Sequence, residues 1–223
     1  METRIWDGID NSQDKSNSGY GNISLAPAIR NSGGVDKTDN VVLIDISGST
    51  QDATSSNDST PKLIREKEVT TMFISKLPPC AKFSLISFGE PARVEIPLQP
   101  LNQKLNAIQK VQQLDYNGAT GMRHALTLAR KELQGSYTNY FRRVYCITDG
   151  MGTDGDCTKI ANRLKAENIQ LHFIGFGSGN EIDEATMRNL ASTSEDGRIL
   201  YMHFTEFSQL SRYMGTQSQT ITY

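Results

Sequence analysis

Val41-Val42-Leu43-Ile44 is a short apolar run, mostly β-branched, followed at once by Asp45-Ile46-Ser47-Gly48-Ser49-Thr50. A run of that kind packs as a strand buried on both faces, and such strands belong to parallel sheets with helices on either side. The strand also ends on an acid, then on hydroxyls at alternate positions with a glycine between them. Successive side chains of an extended segment point to opposite sides, so Asp45, Ser47 and Ser49 share one side. They can present three oxygens to one point just past the strand, an arrangement that suits a hard divalent cation. A Ser/Gly/Thr run after a strand is also what an ordinary turn looks like. The rest of the chain has to separate the two readings.

Residues 1 to about 38 are rich in Asn, Ser, Gly and Asp without a sustained period, which reads as a polar arm, with Trp6 and the segment Asn22–Ile29 as its only packing candidates. After Ser49 a polar stretch over 50–60 reads as a flexible loop. Thr60-Pro61 then opens a helix, with Thr60 as N-cap and Pro61 at its first position, and Pro78-Pro79 closes it after Leu77. Lys82–Gly89 reads as the second strand. Arg93–Leu98, alternating and carrying Pro97, reads as an antiparallel edge strand. A helix over about Asn102–Leu114 has Leu105, Ile108, Val111 and Leu114 at helical spacing. A loop with Gly118 and Gly121 leads to a helix over Met122–Leu133. Strands over Arg142–Ile147, Ile169–Gly177 and Arg198–Phe204 alternate with helices ending near Lys165 and spanning about Asp183–Ala191. A last helix runs from Thr205 to about Met214. Regular alternation with short connections predicts one α/β domain over 39–215, with a short tail over 216–223. Its sheet is Rossmann-like, doubly wound, six-stranded and mostly parallel, with one antiparallel edge strand and helices on both faces.

Composition narrows the function. Of 223 residues 37% are apolar and the net charge is −2, enough for a core and too little positive charge to grip nucleic acid or an anionic membrane. No apolar stretch is long enough to span a bilayer or to serve as a signal peptide, so the expected location is the cytoplasm. Cys80, Cys146 and Cys157 show neither a CxxC spacing nor a neighbouring histidine, and read as structural. His124, His172 and His203 are scattered and read as satisfied structural side chains rather than catalytic ones.

In an open parallel sheet, ligands bind beyond the carboxyl ends of the strands, where the strand order reverses. The first and fourth strands both end there in an acid, Asp45 and Asp149, and the loop bearing Thr120 precedes the helix that leads to the fourth strand. Asp45, Ser47, Ser49, Thr120 and Asp149 can thus converge from three loops. Asp154 and Asp156 can extend that shell, but read more simply as loop acids, with Asp156 capping the next helix.

This combination resembles the von Willebrand factor type A domain family over residues 39–215. Asp45-Ile46-Ser47-Gly48-Ser49 matches the family's Asp-x-Ser-x-Ser, and Gly118-Ala119-Thr120-Gly121-Met122-Arg123-His124-Ala125-Leu126 is similar to its Gly-Gly-Thr-x-Thr-Gly-x-Ala-Leu. Ile147-Thr148-Asp149-Gly150 matches its third element, and Ile174-Gly175-Phe176-Gly177 looks like its glycine-punctuated fifth strand. In two places the chain departs from the pattern: Gly121 directly follows Thr120, displacing the usual second threonine, and the polar loop 50–60 is long. The resemblance implies a metal-ion-dependent adhesion site. Ser47, Ser49 and Thr120 would give hydroxyls directly to Mg²⁺, with Mn²⁺ or Ca²⁺ as alternatives. Asp45 and Asp149 would act largely through water. It implies a non-enzymatic interaction module whose partner protein supplies an Asp or Glu carboxylate, with an AAA-type ATPase among the expected partners.

Two other readings stand beside this one. A strand ending in Asp45 is also similar to haloacid-dehalogenase-type phosphotransferases, but these need a second carboxylate where this chain has Ser47. The third reading keeps the fold as a metal-independent scaffold. Gly175-x-Gly177-x-Gly179 follows the fifth strand instead of the first and reads as a turn, not a dinucleotide fingerprint.

Overall fold

The computed structural model describes residues 37–136, 140–150, 152–177 and 182–204. The arm with Trp6, the helix expected from Thr205 and the tail lie outside them. Among the described residues eight strands form: β1 (Thr38–Asp45), β2 (Ala53–Ser55), β3 (Asp58–Pro61), β4 (Lys82–Phe88), β5 (Arg93–Pro100), β6 (Phe141–Thr148), β7 (Ile169–Phe176) and β8 (Tyr201–Phe204). Six of them make one sheet in the order β5-β4-β1-β6-β7-β8, while β2 and β3 pair separately. Only β5 runs antiparallel in the large sheet, and it lies at the edge, where Pro97 and the wet alternation of Arg93–Leu98 are tolerated. The other pairings are parallel, with Ile44 opposite Ser87 on one side and Ile147 on the other.

Helices cover both faces because the central strands are apolar on both. Val42, Ile44 and Ile46 turn towards α1 (Lys62–Lys76) and α2 (Lys104–Gln112), joining Leu63, Val69, Phe73, Ala107 and Val111. Val41 and Leu43 turn to the opposite face, towards α3 (Met122–Leu133), α4 (Thr158–Ala166) and α5 (Glu184–Leu190). Val41, Val42, Leu43 and Ile44 are all 0% exposed, so each contributes roughly 1.5–3 kcal/mol of transfer free energy. Strand order reverses between β4 and β6 on either side of β1, which places the carboxyl end of β1 at the crevice.

Some expectations fail locally. The stretch 50–60 is structured: Gly48–Gln51 form a 3-10 turn and β2–β3 a small antiparallel hairpin. Arg65 of α1 holds that hairpin through Asp58 Oδ2 (2.9 Å), Asp58 Oδ1 (3.0 Å) and Thr60 Oγ1 (2.9 Å). Thr60 therefore does not cap α1; Pro61 occupies that position, without a side-chain cap. Leu105, expected on an inner face, is 65% exposed. The final strand begins at Tyr201 instead of Arg198, because Thr193 and Ile199 first form an isolated antiparallel bridge.

His172 departs from the expectation of a satisfied histidine. It is buried and stacks on Tyr145 with ring centroids 4.6 Å apart, but neither ring nitrogen has a hydrogen-bond partner among the described residues. His203, by contrast, pairs with the Gly177 carbonyl at 2.8 Å. Burial, with the nearby Arg143 charge adding to it, holds His172 down to about 3 from its usual 6.5. Between those values the unfolded chain takes up a proton that the folded chain refuses. His172 therefore favours folding above pH 6.5, and this contribution is lost as pH falls towards 3. Thermal unfolding midpoints of the wild type should drop more steeply over that interval than those of His172→Phe, which keeps the stacking. Parallel curves would show that His172 does not set the acid sensitivity.

Candidate metal centre

The site begins where β1 runs out. Asp45 is 0% exposed, and both carboxylate oxygens are engaged: Oδ1 accepts the Ser47 N–H at 2.9 Å and Oδ2 the Thr148 hydroxyl at 2.6 Å. Burial pushes its carboxyl up to about 6; the Thr148 hydrogen bond opposes this and the nearby Asp149 charge adds to it. The Asp45–Ser47 contact bends the chain into the 3-10 turn, which Thr50 closes by donating its hydroxyl to the Ser47 carbonyl at 2.7 Å. Ser47 and Ser49 then lie together, their Oγ atoms 3.1 Å apart, and the Ser49 hydroxyl donates to Asp149 Oδ1 at 3.1 Å. Three of the five expected residues, Ser47, Ser49 and Asp149, are thus joined side chain to side chain, while Asp45 is tied to Ser47 through its backbone N–H and to the β6 terminus through Thr148.

Thr120 arrives by backbone contacts. The Gly118 carbonyl accepts the Gly48 N–H at 3.0 Å, and the Gly121 N–H donates to the Gly89 carbonyl at 3.2 Å, fastening the loop on both sides of Thr120. The residue is buried, and Thr153 grips its backbone at both ends: the Thr120 N–H donates to Thr153 Oγ1 at 3.0 Å, and the Thr120 carbonyl accepts the Thr153 N–H at 2.8 Å. Further contacts run from Asn117 N–H to the Ile46 carbonyl at 2.7 Å and from Glu90 N–H to the Asn117 carbonyl at 3.2 Å. Three loops at the end of the sheet are therefore one hydrogen-bonded body. The close approach explains Gly89: a Cβ there would stand 1.7 Å from the Asn117 carbonyl oxygen.

Asp154 and Asp156 do not join this body. Asp154 caps α3 from a distant loop, its Oδ1 accepting the Arg123 N–H at 2.9 Å and its Oδ2 the His124 N–H at 2.8 Å. Asp156 accepts the Thr158 N–H at 2.8 Å at the start of α4, as expected of a loop acid. Burial raises the Cys157 thiol to about 11, with Asp154 and Asp156 adding to the shift, so it is no reactive thiolate.

Sequence reasoning missed two charged residues beside the site. Lys62, at the start of α1, donates its ammonium to Asp149 Oδ2 at 3.2 Å, with side-chain exposures of 3% and 4%. Glu66, one turn further on, is 0% exposed; its Oε2 accepts the Asp45 N–H at 3.2 Å and its Oε1 has no partner among the described residues. Burial holds the Glu66 carboxyl well above the usual range, and the Asp45 and Asp149 charges push it further. The signal was available: Lys62 and Glu66 fall on the stripe that also carries Leu63, Val69 and Phe73, where a charge needs a reason.

The donor set fits a hard divalent ion. Among the described residues no group of three or more His, Cys, Asp or Glu side chains is placed to hold a metal. What converges instead is a pair of acids with serine hydroxyls, and oxygen donors of that kind suit Mg²⁺ or Mn²⁺ better than a thiophilic metal. The same geometry speaks against a phosphotransferase nucleophile, since Asp45 is buried with both oxygens hydrogen-bonded.

The von Willebrand factor type A domain model matches residues 39–215. The chain belongs to that family. Its members are in general interaction and adhesion modules, not enzymes. No curated protein matches the chain by sequence. Among solved structures it is similar to an aerotolerance-related membrane protein from Bacteroides fragilis, at 16% identity and a TM-score of 0.65, covering 82% of this chain and 100% of that one. Proximal thread matrix protein 1 of the mussel byssus, solved with a zinc-occupied MIDAS motif, aligns at 20% identity and a TM-score of 0.67 over 82% of this chain and 47% of its own. The manganese-loaded TRAP protein of Plasmodium vivax aligns at 21% identity and a TM-score of 0.64, over 82% and 73%. Likeness at these identities establishes the shared fold, the six-stranded Rossmann-like sheet with its single antiparallel edge.

The loop fastening makes a quantitative prediction. Gly89→Ala forces the 117–121 loop away from residues 89 and 90 after β4 and should cost about 3 kcal/mol, the upper end of overpacking costs, read as a lower urea midpoint at unchanged slope. A variant as stable as wild type would mean that the loops are not locked together.

Proposed function

We propose that this chain is an intracellular, non-catalytic interaction module that binds a carboxylate on a partner protein through a divalent cation. Asp45, Ser47, Ser49, Thr120 and Asp149 would hold the ion. The observation that carries this reading is the continuous run Ser47 Oγ, Ser49 Oγ, Asp149 Oδ1, at 3.1 Å per step, which gathers oxygens from two separate loops at the switch point of the sheet. Metal-loaded members of the fold, one with zinc and one with manganese, support it by analogy.

The residues divide the work. Ser47 and Ser49 supply neutral hydroxyl oxygens, and Thr120 adds a third from the fastened loop. Asp45 stays inside, orienting Ser47 through its N–H and held in turn by Thr148. Asp149 supplies negative charge opposite Ser49. Bound there, a Mg²⁺ ion would supply a Lewis-acidic position for one further anionic oxygen, since neutral hydroxyls and water would make up much of its shell. Mg²⁺ is the expected cellular ion, with Mn²⁺ or Ca²⁺ as substitutes. A AAA-type ATPase presenting an exposed Asp or Glu is the first partner to test, in the cytoplasm.

Capture of partners from lysate by the immobilised chain, with Mg²⁺ in excess or with EDTA, tests this directly. Partner recovery should fall in EDTA and in Asp45→Ala and Thr120→Ala, with all variants folded by circular dichroism. Equal recovery in every condition would favour the metal-independent scaffold.

A further inference from the structure

The lysine beside the site bears on how tightly it can hold an ion, and the inference rests on the metal reading above. Lys62 Nζ donates to Asp149 Oδ2 at 3.2 Å, while Asp149 Oδ1 takes the Ser49 hydroxyl at 3.1 Å. Both partners of the ion pair are almost fully buried, so solvent screens the ammonium weakly. The lysine stem crosses the end of β7: a Cβ on Gly177 would stand 3.5 Å from Lys62 Cε. The side chain is therefore laid along the carboxyl edge of the sheet and delivers its charge to one of the two acids of the site. Glu66, one helical turn on, holds Asp45 from behind, its Oε2 accepting the Asp45 N–H at 3.2 Å. One face of α1 thus reaches both acids, with a cation on Asp149 and a carboxyl group under Asp45.

We propose that Lys62 is a built-in competitor of the metal, its ammonium and the divalent ion drawing on the same carboxylate, so that loading requires Lys62 to release Asp149. The physical reason is charge. A fixed positive group a few ångströms from a dication in a poorly screened site repels it, and each bond Asp149 makes to the ammonium is one less claim it can make on the ion. The alternative is that Lys62 merely orients Asp149 as a supporting hydrogen-bond donor, and the two roles predict opposite signs. A supporting donor strengthens binding, and its removal weakens it. A competitor weakens binding, and its removal strengthens it.

Calorimetric titration of the full chain with MnCl₂ separates them. Lys62→Met keeps the stem over Gly177 and removes the charge; it should bind Mn²⁺ roughly tenfold more tightly than wild type, while Lys62→Arg stays close to wild type. Weaker or unchanged binding in Lys62→Met overturns the proposal and leaves the metal site intact. Binding by Lys62→Met but not by wild type supports it. No binding by any of the three removes the metal reading and this inference together. Because Lys62→Met also exposes a buried Asp149 to loss of its ion pair, a second measurement uses the wild type alone. The Lys62 ammonium resonance, protected from exchange by Asp149, should broaden or vanish as Mg²⁺ shifts the amides of Ser47, Ser49 and Asp149. An ammonium signal that stays protected at saturating Mg²⁺ overturns the proposal.

Discussion

A carboxylate with no exposure at the end of a fully buried strand is costly unless its oxygens are met, and this one requirement organises the functional end of the molecule. Asp45 is met by the Ser47 N–H and the Thr148 hydroxyl, and those two bonds have structural consequences. The first folds the chain back into the turn that brings Ser47 beside Ser49. The second ties β1 to the last residue of β6, from which Asp149 follows directly. The backbone contacts of 117–121 with residues 46, 48, 89 and 90 add the third loop. Remove the buried acid, and the reason for the neighbouring geometry goes with it.

Much of this was legible in the residues. The apolar β1 run, the helix over Met122–Leu133 and the edge strand beginning at Arg93 follow from period and proline placement, and the structure has them there. The hairpin over 53–61 was illegible because its strands are short and polar, and Arg65 holds it from outside the stretch. Thr60 looked like a helix cap but was recruited by the same guanidinium. Leu105 satisfied helical spacing yet points outward, while Ala107 and Val111 are the residues that α2 buries. Period identifies a helix more securely than it identifies every inward side chain.

The site shows the same division. Alternation in an extended segment grouped Asp45, Ser47 and Ser49, yet the 3-10 turn over Gly48–Gln51 is what sets Ser49 beside Ser47, and Asp149 joins them through Ser49. Alternation had nothing to say of Thr148, Thr153, Lys62 or Glu66, whose roles come from which helix or loop lies across the strand ends. Lys62 and Glu66 were signalled only negatively, as charges on an otherwise apolar stripe. Charges in that position belong to tertiary structure, and their partners lie far away in sequence.

The hairpin has a consequence for how such a domain can change over time. It is clamped to α1 by Arg65, through Asp58 and Thr60, while its tip residues Ser56 and Asn57 are exposed. None of the hydrogen bonds that assemble Asp45, Ser47, Ser49 and Asp149 passes through that tip. The tip can therefore accumulate substitutions, lengthen or shorten at little cost to the oxygens beside it. The oxygen cluster and the hairpin tip are mounted on separate supports, and selection can act on one while leaving the other alone.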